Sequence, residues 1–359
     1  MINDFAHSEP FTIGVEEELL LVEPDGGRLA PVAAELLAAM DRPDGAAGHE
    51  AYAAEIELRS PIARDIGEVT SALAGGRAAA RNAGATLMGA GLHPTAQLGD
   101  AQLVDSERYR RVEEEMRGLI RRTPECALHV HVGMPDAETA IRVFNALREQ
   151  LPLLQGLSAN SAWWFGRDSG LASARYAQVQ TYPGRGVPRA FRDFDDYAET
   201  VAATLAAGDL DDYTLLWWDV RLQPRLGTLE LRELDAQAPL ADVAALAGLV
   251  HALARQAAEQ PAVEPTHREA IAWSTFRAAR DGLDATILNG SELRPLVEVA
   301  RDTVEAVRPS AREIGAEGAL AEIERILSEG NGAARQRVTQ ARRGTAAMLG
   351  ALVTQTMAL

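Results

Sequence analysis

Four stretches of this chain each place two ionisable side chains two residues apart within an otherwise apolar run: Glu16 and Glu18, Glu55 and Glu57, His129 and His131, Glu230 and Arg232. Alternate residues of a β-strand point to one face. Each stretch, folded as a strand, presents both groups on one side and its apolar neighbours on the other. If the strands share a sheet, one face carries carboxylates, two imidazoles and a guanidinium. Carboxylates gathered this closely repel one another unless a cation neutralises them, so such a face is a site for polyvalent cations. Oxygen donors with one or two histidines and no thiolate suit Mg²⁺, with Mn²⁺ as the alternative, better than a structural zinc. Glu17 departs from the pattern, because it falls on the face of Val15 and Leu19.

The basic residues narrow the chemistry further. All 35 are arginine. Without lysine there is no Walker A loop, no protein-kinase strand lysine and no Schiff base, so those phosphate and carbonyl chemistries are excluded. Any phosphate must be held by metal ions and by guanidinium groups in planar, bidentate contacts. With 52 acidic residues the formal charge is −17, which repels nucleic acid and anionic membranes. Cys126 is the only cysteine, leaving no intrachain disulfide or thiolate zinc cluster; it reads as a small buried residue beside a strand. Residues 1–10 lack the basic and apolar regions of a signal peptide, and the best apolar stretch, residues 346–359, is short and interrupted by Thr354, Gln355 and Thr356. A cytoplasmic protein is expected.

Strand-like runs alternate with helical ones from Phe11 to about Gln237, whereas the chain from Pro239 onward reads as almost wholly helical. The expected organisation is a leader over 1–10, a catalytic sheet region over 11–237 and a helical region over 238–359 packed on it. Strands are predicted at 11–22, 28–32, 53–59, 86–91, 128–133, 217–222 and 228–234, the first two joined by the turn Pro24-Asp25-Gly26-Gly27. Helices are predicted at 32–40, 66–83, 106–123, 137–157 and 194–207. Short strands in hairpins with helices outside them indicate an α+β fold with a mainly antiparallel sheet. The apolar helices after 240 offer a surface for a homodimer.

Two further stretches carry chemistry. From Ser161 to Gly186 lie Trp163, Trp164, Arg167, Asp168, Arg175, Tyr176, Tyr182 and Arg185; glycines there imply close approach to a ligand, the tryptophans read chiefly as core packing, and Arg175 and Arg185 are candidates for phosphate or carboxylate. From Leu216 to Arg232 a strand, a Pro/Gly turn and a returning strand carry charge at alternate positions.

Together these residues resemble the carboxylate–amine ligases, the glutamate–cysteine ligase type 2 family, whose fold is similar to glutamine synthetase. The resemblance rests on Ile13-Gly-Val-Glu-Glu-Glu18, Glu55-Ile-Glu-Leu-Arg-Ser-Pro61, Gly91-Leu-His-Pro94, His129-Val-His-Val-Gly133, Gly166-Arg-Asp168, Ser173-Ala-Arg-Tyr176, Trp217-Trp-Asp-Val-Arg221 and Gly227-Thr-Leu-Glu-Leu-Arg232. It implies a funnel of about six antiparallel strands whose carboxylates hold Mg²⁺ against the phosphates of ATP. It further implies Glu16, Glu18, Glu57, His129 and Glu230 as metal ligands, with Arg232 and Arg175 on the transferring phosphoryl group. Glu50, His131, Arg185 and Arg221 become candidates for substrate contact, Glu50 also for metal, and Trp218 and Arg232 for nucleotide. The implied reaction joins a carboxylate to an amine through an acyl phosphate, with L-glutamate and L-cysteine as default substrates. Ser274 and Phe276 depart from the family's Asn-x-Trp-Arg-Ala-Ala-Arg pattern. A regulator that binds ATP and metal without turnover, and a metal-dependent amide hydrolase, are alternative readings of the same residues.

Overall fold

Apolar residues at alternate positions give each long strand one face for a core and one for something else. In the computed structural model, which describes residues 5, 8–25, 27–262 and 264–358, the strands are β1 (Ile13–Leu21), β2 (Ala47–His49), β3 (Glu55–Arg59), β4 (Leu87–Met88), β5 (Ala127–Gly133), β6 (Trp163–Trp164), β7 (Arg167–Asp168), β8 (Val220–Gln223), β9 (Thr228–Asp235), β10 (Thr286–Asn289) and β11 (Glu292–Pro295). The helices are α1 (Ala33–Ala39), α2 (Ile66–Asn82), α3 (Glu107–Met116), α4 (Ala137–Ser158), α5 (Ala174–Val179), α6 (Phe194–Ala207), α7 (Leu240–Glu259), α8 (Arg268–Asp281), α9 (Leu296–Glu313), α10 (Glu317–Glu329), α11 (Gly332–Arg343) and α12 (Thr345–Met357). Residues 1–4, 6 and 7 of the expected leader, Gly26 of the expected turn and the final residue, 359, lie outside the described residues.

The main sheet runs β2-β3-β1-β5-β9-β8, with β4 on β1 beyond the end of β5, and every pairing in it is antiparallel. The fold is α+β, as the hairpin-rich pattern predicts. Ile13, Val15, Leu19 and Leu21 of β1 share a buried core with Ile56 and Leu58, Leu128, Val130 and Val132, and Leu229 and Leu231. Helices α2, α4 and α7 cover that face. Capping side chains start several of the helices: Asp65, Ser106, Asp136 and Asp193 each accept a hydrogen bond from the backbone N–H three residues on. Within α4, Phe144, Leu147, Leu151, Leu153, Leu154 and Leu157 are buried, each contributing about 1.5–3 kcal/mol relative to an exposed side chain.

Glu17, the one acid on the core face, meets Arg77 of α2 in a bidentate pair, Nε to Oε1 at 2.9 Å and Nη2 to Oε2 at 2.7 Å. The remaining donors of Arg77 reach the carbonyls of Gln237, Ala238 and Thr356 at 3.2, 2.8 and 3.0 Å. This arginine therefore joins α2, the end of β9's outgoing loop and α12 at one buried point.

Strand β9 carries a β-bulge: Leu128 pairs with Leu234 but Val130 with Leu231, so two steps on β5 face three on β9. Apolar side chains return to the core on both sides of the bulge, while Arg232, Glu233 and Asp235 serve the other face.

Several expected elements differ. The strand over 28–32 reduces to a single bridge, Val22 with Leu29, and the strand over 86–91 to β4. The helix over 106–123 stops at Met116 where Arg117 takes a positive φ of 53°, and a 3₁₀ turn follows. The strand over 217–222 begins at Val220, because Trp218 pairs instead with Gly186 in an isolated bridge. The stretch 174–179, outside every predicted strand and helix, is the short helix α5, capped by Ser173. The helical stretch after 238 is interrupted by the β10–β11 hairpin.

Candidate active site

The polar members of the four pairs fall on the sheet face opposite the core, and the strand register places them side by side. Glu18 lies opposite Glu57 and Glu16 opposite Arg59. Across the other edge of β1, Glu16 lies opposite His129, then His131 opposite Glu230 and Glu230 opposite Arg221. Glu16 Oε2 is 3.3 Å from His129 Nδ1 and 3.7 Å from His131 Nε2. His131 Nε2 is also 3.8 Å from Glu230 Oε1, and its Nδ1 meets Thr228 Oγ1 at 3.1 Å.

Two groups of donor atoms result, one from Glu16, His129 and Glu230 and one from Glu18, Glu57 and His129, each set lying within 4.8 Å of one another. His129 belongs to both. Oxygen-rich donors around one shared imidazole, with no sulfur, fit hard divalent ions such as Mg²⁺ or Mn²⁺. Glu230 is fixed from behind: its Oε2 accepts from Arg221 Nε and Nη2 at 3.0 and 2.8 Å and from Gln223 Nε2 at 2.6 Å, and its Oε1 pairs with Arg232.

Burial makes this face electrostatically divided. It pushes the Glu18 carboxyl up to about 8, with the charge of Glu50 adding to the effect, and it holds Glu57 well above the usual range, with Glu16 and Glu50 adding. Burial also lowers His129 to about 3, helped by Arg232. For Glu16 burial is outweighed by hydrogen bonds to His129 and His131, which hold the carboxyl well below its ordinary value. For Glu230 it is outweighed by Arg221 and Arg232, again downward. His131 is raised, since Glu230 and Glu16 overcome its burial. A cation placed among these carboxylates relieves the cost that burial imposes on their ionised forms.

The donor groups lie between two openings. Gly14, Glu16, Arg59, His131, Arg225 and Thr228 line a cavity of about 700 Å³. Glu18, Glu50, His129, Arg175, Arg185 and Arg232 line one of about 110 Å³. Arg175 starts from α5 and donates to the carbonyls of Glu233 and Arg232 at 3.1 and 3.4 Å; Arg175 Nε and Arg232 Nε have no hydrogen-bond partner among the described residues. Glu50 accepts a 3.4 Å hydrogen bond from the Tyr109 hydroxyl of α3.

Behind Arg175 and Arg185 stands a layer of buried acids that the strand pairs do not include. Asp235 lies 3.6 Å from Arg175 and accepts from Asn160 N at 2.8 Å, Ser161 Oγ at 2.7 Å and Ser173 Oγ at 3.0 Å. Arg185 pairs with Asp219 at 3.1 Å and Glu233 at 3.2 Å. Asp219 had a signal in the sequence, since it stands two residues before Arg221 on a strand arm. Glu233 lies in the bulge and Asp235 just beyond it, where simple alternation fails. Gly91 closes this layer: a Cβ on it would stand 2.5 Å from the Asp235 carboxyl carbon.

Glu16, Glu18, Glu50, Glu57, His129, His131, Arg175, Arg185, Arg221, Glu230 and Arg232 are thus gathered on one side of the sheet. Trp218 is not among the residues lining either cavity. It packs against Phe191 and Tyr197, ring centroids 6.0 Å apart in both cases, because the 218–186 bridge turns it away, and Trp217 lines the smaller cavity instead. Other residues of the family-like motifs are structural. His93 accepts from Ala96 N at 2.9 Å and contacts the Gly27 carbonyl at 2.6 Å. Asp168 on the β6–β7 hairpin pairs with Arg337 at 2.8 Å, and Trp164 stacks on Phe165. Cys126 is buried with its thiol 2.8 Å from Glu55 Oε1.

A family model described as glutamate–cysteine ligase family 2 matches residues 12–353. A relative from Rubrobacter xylanophilus, provisionally named glutamate–cysteine ligase 2-1, is 38% identical over 336 residues, 91% of this chain and 89% of the relative. One from Gloeobacter violaceus, provisionally named glutamate–cysteine ligase 2, is 34% identical over 346 residues, 93% of each. Among solved structures, a glutamate–cysteine ligase from Francisella tularensis in complex with AMP covers 99% of this chain and 89% of its own, with a TM-score of 0.75 and 13% identity. A bifunctional glutathione synthetase from Pasteurella multocida gives 0.68 at 14% identity, over 96% of this chain and 52% of its own. At that identity the likeness is one of fold.

Proposed function

The chain belongs to the glutamate–cysteine ligase family 2, a family of ATP-dependent carbon–nitrogen ligases, and on that premise we propose that it joins a carboxylate to a primary amine through an acyl phosphate, with L-glutamate and L-cysteine as default substrates. The observation that carries the reading is the pair of donor groups sharing His129 on one sheet face, beside the Arg175 and Arg232 guanidinium groups, whose Nε atoms have no partner among the described residues. Glu16 and Glu230 would hold one Mg²⁺ and Glu18 and Glu57 another, with Glu50 beside the second, and His129, whose neutral ring has one free nitrogen lone pair, would complete one of the two. Bound there, the metal would supply charge neutralisation for the phosphates of ATP.

Carboxylates are poor acyl donors. Transfer of the γ-phosphoryl group to a carboxylate oxygen gives an acyl phosphate and ADP; the amine lone pair then forms the C–N bond as the C–O bond to phosphate breaks, and the amine proton is lost to a base or water. The protein's share is positioning and electrostatics. Arg175 and Arg232 would bear on the transferring phosphoryl group, Arg221 would act by fixing Glu230, and Arg185 would help seat the donor acid in the smaller cavity. The larger cavity, bounded by Arg59, His131 and Arg225, has the size for a nucleotide. A cytoplasmic setting, where ATP is available, belongs to the same proposal.

The test is release of ADP and phosphate by the purified protein with ATP and Mg²⁺, over acids and amines offered singly and in pairs, with Glu230→Gln as control. The reading requires ADP that depends on both an acid and an amine and is lost in the variant. Amide hydrolysis without ATP would overturn it.

A further inference from the structure

Helix α3 roofs more than the smaller cavity. On its outer side lies a groove of about 630 Å³ between α3, the end of α6 and the segment leading to β8. Its apolar walls are Val112, Ala207, Leu210, Leu215, Leu216 and Trp217. Groove and smaller cavity meet at Arg108, Val112, Leu215 and Trp217, which line both. An apolar recess of this size with a few polar groups has the character of a small-molecule site.

Its charge discriminates between ligands. Glu107, Glu115, Asp211 and Asp212 line it against Arg108 and Arg111, and Arg111 is already held by Asp211, 3.0 Å to each oxygen. The balance is acidic, which disfavours a carboxylate-bearing body. Position points the same way. The donor acid must lie against the transferring phosphoryl group, among Arg175, Arg185 and Arg232, so the amine is left the approach from the groove side.

We propose that the groove seats the body of the amine substrate, and that this amine, in place of the default cysteine, carries an apolar extension larger than the cysteine side chain and no carboxylate. The proposal rests on the ligase reading for its chemistry but is tested by binding. With the full chain, Mg²⁺ and ATP present, the probes are 2-phenylethylamine and ethylamine, titrated calorimetrically. Wild-type protein is expected to bind 2-phenylethylamine at least tenfold more tightly. Filling the groove through Ala207→Trp, or through Thr204→Trp one turn earlier, brings the two amines within about twofold, and thermal melting of both variants checks that they fold. Equal affinity in the wild type, a preference that survives both variants, or no binding of the longer amine overturns the proposal. If the longer amine binds as expected but ADP never forms with any acid, the ligase reading fails and the groove stands as an amine-binding site only.

Discussion

Replacing Arg77 by methionine removes the partner of Glu17 and the donor to three backbone carbonyls at once. Both charged side chains are essentially inaccessible, at 0% and 1% exposure. Methionine fills comparable space, so the loss comes from polar groups left behind rather than from a cavity. Breaking a buried ion pair by deleting one partner costs about 3–5 kcal/mol, and the carbonyls of Gln237, Ala238 and Thr356 lose a charged donor as well. Against a domain stability of about 5–15 kcal/mol, the Arg77→Met variant should still fold but unfold at much lower urea. Urea denaturation followed by circular dichroism gives the difference at constant slope. The double variant Glu17→Leu/Arg77→Met should lose less than the sum of the two single losses, by about 0.5–3 kcal/mol. Because Thr356 is one of the three anchors, limited proteolysis should release α12 early in the single variant. A loss below about 1 kcal/mol, or strict additivity, would refute the assignment of Glu17 as a structural acid.

Metal and pH offer separate tests. In metal-free protein the Glu18 carboxyl titrates near 8 when folded against an ordinary value of 4.5 when unfolded, so the folded chain holds a proton that the unfolded chain releases. Stability should therefore fall as pH rises from about 6.5 to 8, above the range in which His129, lowered to about 3 when folded, pulls the other way, with Glu57 adding in the same sense as Glu18, and Mg²⁺ should flatten that slope; a slope of opposite sign in thermal melts over this window would count against these carboxylates forming the site. Glu230→Gln should weaken Mn²⁺ binding at least about tenfold by calorimetry, and an unchanged affinity would remove Glu230 from the metal set. Asp235→Asn should lower kcat about tenfold to a hundredfold, by loosening Arg175, with KM for the amine nearly unchanged and the melting temperature lowered, because buried Arg175 loses its charged partner; Gly91→Ala, which presses on the same carboxylate, should act in the same direction, and a change in KM alone would contradict a positioning role.

The main strands and the gathering of Glu16, Glu18, Glu57, His129 and Glu230 on one face were legible because alternation on β1, β3, β5 and β9 is regular where these residues lie, on uninterrupted stretches of strand. What alternation could not show was the β9 bulge, which turns Arg232, Glu233 and Asp235 to one side and hides the acids behind Arg175 and Arg185. Trp218 misled for a related reason, since a single bridge to Gly186 delays β8 and leaves Trp217, not Trp218, lining the smaller cavity. Residues Arg108 and Tyr109 reach the site from α3, far from any strand pair, and no local pattern announces such a contact. The Gly-Leu-His-Pro and Gly-Arg-Asp motifs carried the family resemblance but hold loops and the β6–β7 hairpin in place.

Oxygen-18 in the donor carboxylate tests the central claim most directly. With the acid and amine identified by ADP release, the account predicts that one labelled oxygen passes from the carboxylate into each phosphate formed, because the acyl C–O bond to the phosphorylated oxygen is the bond that breaks. Phosphate free of label, formed together with the amide, would contradict an acyl-phosphate ligase.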